Sequence, residues 1–224
     1  MILDALVFDM DGLIFDSERV VQRTWNDAGE QLGYGKIGEH IYNTLGFNVK
    51  RRKEYFQGVF GQDFPMDDFN RITRARFQEI VAEEGLAMKP GVRELLNWAH
   101  SRGIKPAVAT SSRRVYSTDL LKRADIWKLL DGAVFGDMVT NAKPDPEIYL
   151  TACSLIHAVP ARSVALEDAP AGIRSAHAAG MIPGMVPDLV KPDEETLRLC
   201  AGKFESLLDV IPYLEDGRGP TSRS

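Results

Sequence analysis

Leu3-Asp4-Ala5-Leu6-Val7-Phe8-Asp9-Met10-Asp11-Gly12 decides how this chain is read. An apolar run ends abruptly in two carboxylates and a glycine. Such a short, β-prone run predicts a strand buried on both faces. Residues two apart on a strand point the same way. Asp9 and Asp11 are therefore expected to face one site, with Met10 turned away. Gly12 lets the backbone turn sharply where a side chain would clash. Two carboxylates crowded at the exit of a buried strand repel each other and need a cation or a shared proton. The same letters also suit a surface turn, since Asp and Gly are turn formers. The rest of the chain decides between the two.

Downstream of this stretch the pattern changes twice. Residues 17–87 are helical in character, with Val20, Val21, Trp25, Ala28 and Leu32 at helical spacing and Gly33, Gly35, Gly46, Gly58 and Gly61 as punctuation. From Met88 onward, helix and strand patterns alternate. The spacing predicts helices near 92–99, 115–126, 146–156, 171–179 and 207–214. Short strands are expected near 104–110, 133–135, 163–166 and 181–186, with Pro106 at the beginning of its strand. Alternation of this kind implies βα crossovers and a parallel sheet covered by helices on both faces. The expected organisation is an α/β core of residues 1–16 and 88–215, a helical insert of residues 17–87 and a flexible tail of residues 216–224.

In a parallel sheet, ligands sit outside the carboxyl ends of the strands. The residues just past the expected strands are Asp9 and Asp11, Thr110-Ser111-Ser112, and Glu167-Asp168. Carboxylates and hydroxyls far apart in sequence would meet at one edge. Asp9, Asp11 and Asp168, with Glu167, make an oxygen-rich set without Cys or His, which suits a hard cation such as Mg²⁺. Read alone, Glu167-Asp168 is more readily an N-cap for the following helix, with Pro170 in its first turn, and a cap and a ligand are not exclusive. Thr110-Ser111-Ser112 is likewise either an ordinary cap or an anion site at a helix start. Lys143 lies in a stiff loop bracketed by Pro144 and Pro146, where its charge can neutralise a phosphate. Together these pieces meet what phosphoryl transfer demands: a nucleophile, an acid/base, a metal and positive groups around the phosphoryl oxygens. Asp9 is the expected nucleophile and Asp11 the expected proton donor and acceptor.

The bulk composition narrows the class. The chain has 224 residues, net charge −5, 44% hydrophobic and 26% charged residues. These are ordinary values for a soluble globular protein. The negative balance argues against nucleic acid or an anionic membrane as partner. Cys153 and Cys200 follow no metal-type or redox spacing. They fit a reducing cytoplasm, and no bilayer-length apolar run or basic leader is evident.

At this point the residues resemble a known family. Asp9-Met10-Asp11-Gly12, Thr110-Ser111-Ser112, Lys143-Pro144 and Glu167-Asp168 are similar, in order, to the four motifs of the haloacid dehalogenase superfamily. Phe8 to Glu18, Gly136-Asp137, Lys143 to Tyr149 and Glu167 to Ile173 resemble its β-phosphoglucomutase-like branch. The resemblance implies a Rossmannoid core, an α-helical cap inserted after the first motif, Mg²⁺ and an aspartyl-phosphate intermediate. It makes Asp9 nucleophile and metal ligand. Asp11 becomes the acid/base, giving its carbonyl to the metal. Thr110, Ser111 and Lys143 bind the phosphate. Asp168 is a metal ligand and Glu167 supports the metal site directly or through water. An aspartate at position 11 fits phosphatases and mutases and excludes dehalogenase chemistry.

True β-phosphoglucomutases carry a histidine where Val21 stands and a lysine beside the cap glycine, where this chain has Leu45-Gly46. The expected function is therefore a Mg²⁺-dependent phosphatase, acting as a monomer on a small phosphorylated metabolite such as a sugar phosphate. A hexose-phosphate mutase is the alternative, and a phospho-ligand-binding module without turnover comes third. Ser17, Glu18, Asn48, Lys50 and Arg51 are the candidate substrate contacts of the cap, and Trp25, Trp98 and Trp127 are expected to pack.

Overall fold

The computed structural model describes residues 3–44 and 49–216. Leu45, Gly46, Asn48 and the tail from residue 217 lie outside the described residues. The chain divides into two compact units, one of Met1–Phe15 with Met88–Ser224 and one of Asp16–Ala87.

The first unit is built on β1 (Ala5–Phe8), β2 (Lys105–Thr110), β3 (Gly132–Phe135), β4 (Ser163–Glu167), β5 (Ile182–Met185) and β6 (Gly202–Lys203). All pairings are parallel, in the order β3-β2-β1-β4-β5-β6. The chain crosses between strands through α5 (Val92–Ser101), α6 (Arg114–Arg123), α7 (Glu147–Leu155) and α8 (Pro170–Ala178). β1 lies at the centre, and all four of its residues are wholly buried. Ala5 and Val7 join Ala107, Ala109, Ala165 and Tyr149 in one apolar layer. Leu6 and Phe8, alternating with them, bury the opposite face. Covering both faces is what a parallel sheet requires. This is the α/β parallel-sheet class expected from the alternation, and the Rossmannoid core that the family resemblance implies.

Two prolines sit in interior strands, and the register explains why they are tolerated. In a strand, the N–H and C=O of one residue point to the same neighbour. The carbonyl of Pro106 accepts from Asp131 N–H at 2.8 Å, and that of Pro183 accepts from Ala201 N–H at 2.8 Å. Each proline thus turns its missing N–H toward an outer strand whose pairing begins one residue later, at Gly132 or Gly202. No ladder bond is lost. Gly184 sits close under Leu166, whose Cδ2 would be 2.9 Å from an added Cβ. The two-residue strand β6 and α9 (Glu194–Leu199) have no counterpart in the sequence reading. A two-residue strand has too little pattern to be seen, and α9 rests on its Asp193 cap, which accepts from Thr196 N–H at 2.7 Å.

The second unit comprises α1 (Ser17–Gln31), α2 (Ile41–Thr44), α3 (Val49–Phe60) and α4 (Met66–Glu84). α1 and α4 pack along each other. Trp25 meets Phe56 and Phe69 edge-on at 5.4 and 5.5 Å, and Phe56 also packs on Phe60 and Phe64. These aromatics supply the unit's core. Of the candidate contacts here, Ser17 is buried, Lys50 is exposed beside Glu54, and Arg52, next to Arg51, lies over the Trp25 ring at 5.7 Å. No helix among the described residues is long and apolar enough to cross a membrane.

Candidate active site

Register builds the site. Phe8 lies opposite Val108 on one side and Leu166 on the other. The next residues of the three central strands, Asp9, Ala109 and Glu167, therefore arrive level at the carboxyl edge. Asp9 N–H donates to Leu166 O at 3.0 Å, which extends this alignment one residue past β1. Beyond it the chain turns tightly: Phe15 N–H returns to Met10 O at 3.0 Å, and Gly12 N–H donates to Phe15 O at 2.9 Å. Met10 is wholly buried, turned away from the edge as the alternation requires.

Lys143 occupies the centre of the edge. Its Nζ donates to Asp9 Oδ1 at 2.5 Å, to Glu167 Oε1 at 2.6 Å and to Ala109 O at 3.0 Å. Asp9, Glu167 and Asp168 are all buried, and each offers an oxygen within 4.8 Å of the others. Three buried carboxylates facing one ammonium leave a negative excess, and every donor is oxygen. The set fits a hard divalent cation.

Asp11 takes a different partner. Ser112 Oγ donates to its Oδ2 at 2.6 Å. The two aspartates of the first stretch thus reach the same edge but are held separately, one by a cation and one by a hydroxyl. Ser112 is itself fixed: its N–H donates to Thr110 Oγ1 at 3.1 Å, and its carbonyl accepts from Gly136 N–H at 2.9 Å. Thr110 is buried at the end of β2, while Ser111 is exposed. A small cavity of about 90 Å³ borders Ser111, Gly136, Thr140, Ala142 and Lys143.

The capping alternative fails for both motifs. The N-cap of α8 is Ala169, with Pro170 in the first turn, and the N-cap of α6 is Arg113; neither helix has a side-chain cap bond. The N-cap positions thus fall one residue past Asp168 and one past Ser112.

Glycines make the close approaches possible. A Cβ on Gly12 would collide with the Asp168 carboxylate, and its φ of +84° is itself unfavourable for other residues. A Cβ on Gly172, in the first turn of α8, would overlap the carboxyl group of Glu167. Neither role is readable from sequence, because both depend on which carboxylate packs there.

Burial pushes the Glu167 carboxyl up to about 7; the nearby Asp9 adds to this, while Lys143 and the Tyr149 hydroxyl oppose it. Burial works against charge on Lys143, but the attraction of Asp9 and Glu167 outweighs it and raises its pKa, so the ammonium stays protonated. Burial and the Glu167 charge hold the Tyr149 hydroxyl well above its ordinary value. Tyr116 is raised by burial and by the adjacent Asp11.

Sequence reasoning gave no role of their own to Tyr149, Glu147 or Gly172, and it placed Ser112 only within the hydroxyl motif, not as the partner of Asp11. Glu147 accepts from the N–H groups of Thr140 and Asn141 at 2.9 and 2.8 Å. It thereby pins the loop that carries Lys143. A glutamate in the first turn of a helix just after a proline-rich loop was the available signal.

A family model described as haloacid dehalogenase-like hydrolase matches residues 6–186. The chain belongs to this family. Among its haloacid dehalogenase-like relatives, a phosphorylated carbohydrates phosphatase of Thermotoga maritima is 31% identical over 179 residues, covering 80% of this chain and 82% of the relative. A validoxylamine A 7′-phosphate phosphatase of Streptomyces hygroscopicus subsp. limoneus is 40% identical over 181 residues, covering 78% and 81%. A Thermotoga maritima crystal structure assigned as a β-phosphoglucomutase superposes with a TM-score of 0.79 at 27% identity, covering 96% of this chain and 99% of that one. Within the family, the chain falls in the β-phosphoglucomutase-like branch.

Proposed function

We propose that this phosphoric monoester hydrolase releases phosphate from a small phosphorylated metabolite, a sugar phosphate, by way of a phosphorylated Asp9. The observation that carries this reading is Lys143 bonded at once to Asp9 and Glu167, with the Asp168 carboxylate beside them. A carboxylate oxygen of Asp9 attacks phosphorus and the ester P–O bond breaks. Asp11 gives its proton to the departing alkoxide. Asp11 then takes a proton from water, whose oxygen attacks phosphorus and breaks the bond to Asp9. Thr110, Ser111 and Lys143 hold the phosphoryl oxygens. Asp9, Asp168, Glu167 and the Asp11 carbonyl would hold Mg²⁺, which when bound offsets negative charge on the phosphoryl group.

The helical unit Asp16–Ala87 is the cap in this reading, and substrate choice is assigned to it because the core residues address only phosphate. The names of the two phosphatase relatives support a phosphorylated carbohydrate as substrate. The reading takes the enzyme as a cytoplasmic monomer acting on a diffusible molecule, without nucleic acid or membrane. Cys153 and Cys200, both buried and free, suit that compartment.

The test is phosphate release from a panel of sugar phosphates and p-nitrophenyl phosphate, with and without Mg²⁺. Turnover is expected only with the cation, and Asp9→Asn is expected to abolish it. Retained turnover in Asp9→Asn refutes the nucleophile. An isomeric sugar phosphate as product, in place of free phosphate, assigns mutase chemistry instead.

A further inference from the structure

We propose that the Tyr149 hydroxyl is a positioning group for Glu167 and thereby sets the affinity of the acidic site for Mg²⁺. The inference rests on the metal reading above and goes beyond it, to a residue outside the carboxylate set.

Tyr149 is the largest wholly buried side chain of the chain's described residues. Its ring fills the apolar layer with Ala109, Ala165 and Ile148. A phenylalanine would fill the same space. The hydroxyl therefore adds nothing to packing, and a buried hydroxyl is costly unless it is bonded. It is bonded: it donates to Glu167 Oε1 at 2.5 Å and lies 3.4 Å from Lys143 Nζ.

The choice of oxygen matters. Lys143 also donates to Oε1, at 2.6 Å. Two donors from the buried side thus load one oxygen of Glu167. Two donors on one oxygen fix how the carboxylate is turned beside Asp9 and Asp168. Lys143 alone fixes the charge balance but not the rotation, since its flexible stem can follow a turning carboxylate. Tyr149 has a rigid ring locked between α7 and the sheet, so its hydroxyl fixes the plane. Gly172 completes the arrangement by leaving room for the carboxyl group. Groups that orient a metal ligand in this manner are worth about 10–100-fold in metal affinity.

The experiment compares metal-free wild type with Tyr149→Phe by calorimetric Mg²⁺ titration, alongside thermal melting with and without Mg²⁺. Tyr149→Phe is expected to bind Mg²⁺ about 10–100-fold more weakly, with kcat at saturating Mg²⁺ close to wild type and half-saturation moved to higher Mg²⁺. In a Glu167→Gln background the same substitution is expected to leave Mg²⁺ affinity unchanged. Wild-type affinity in Tyr149→Phe overturns the inference. So does a fall in melting temperature that is equal with and without Mg²⁺ while affinity holds, which is the signature of packing alone. Wild type that fails to bind Mg²⁺ at all overturns the metal reading beneath it, and is recognised without any variant.

Discussion

Gly172→Ala sets two physical effects against each other, and their sizes decide the outcome. Gly172 lies in α8 without a positive φ, so alanine is conformationally acceptable there. On helix propensity alone the substitution should stabilise by about 1 kcal/mol. The added methyl, however, lands on the Glu167 carboxyl group. That carboxyl is 1% exposed and tied on its other side to Lys143 and Tyr149, so it has no free direction in which to move. Forcing a methyl into a packed interior costs about 1–3 kcal/mol, and separating a buried ion pair costs about 3–5 kcal/mol. Partial relaxation lies between these, at about 2–4 kcal/mol, so a net loss of about 1–3 kcal/mol is expected once the helix gain is subtracted. For a protein of this size that lowers the melting temperature by roughly 2–12 °C. Urea or thermal unfolding measures it, with phosphate release as the second readout. A Gly172→Ala protein as stable as wild type, or more so, refutes the claim that the glycine is there to admit the carboxylate.

Two further outcomes follow from the same geometry. Lys143→Met leaves Asp9, Glu167 and Asp168 buried without their cation, at a cost of about 3–5 kcal/mol. Glu167 is already pushed up to about 7 and takes a proton more readily once Lys143 is gone, so the loss is expected to be larger at pH 8 than at pH 6; equal losses in urea titrations at the two pH values contradict this. Glu147→Gln replaces the carboxylate that pins the Lys143 loop and is expected to raise KM for the phosphate ester while leaving the fold intact. The N–H groups of Thr140 and Asn141 hold the Glu147 carboxyl below its ordinary value of 4.5. A depressed value means that its support is complete above 4.5 and is lost as pH falls through the folded value. Wild type and variant should therefore differ in stability at neutral pH and converge in acid, which pH-dependent melting checks.

Much of the site was legible because its signals are local. A buried strand announces itself by an unbroken apolar run, and the residue that follows it is known to lie at an edge. Asp9, Thr110 and Glu167 could be placed in this way before any coordinates. Lys143 was legible for its rigid proline brackets. The resemblance to a motif series then gave the expected roles. Tyr149, Glu147 and Gly172 were not legible, nor was the bond from Ser112 to Asp11. Each acts through a partner reached only when distant segments pack, and nothing in the letters around Tyr149 distinguishes a bonded hydroxyl from a ring that merely fills space.

The sequence by itself determined the alternation of strand and helix, the parallel sheet and the kinds of oxygen and nitrogen groups at its edge, since these follow from periodicity and from what ends each apolar run. Only the tertiary structure decided which group bonds to which. Strand register set Asp9 level with Glu167, the loop brought Lys143 between them, and Asp11 went to Ser112. Hydrogen bonding acts over about 3 Å, so a partner is chosen by final position in space, and the linear order of residues carries no record of that distance.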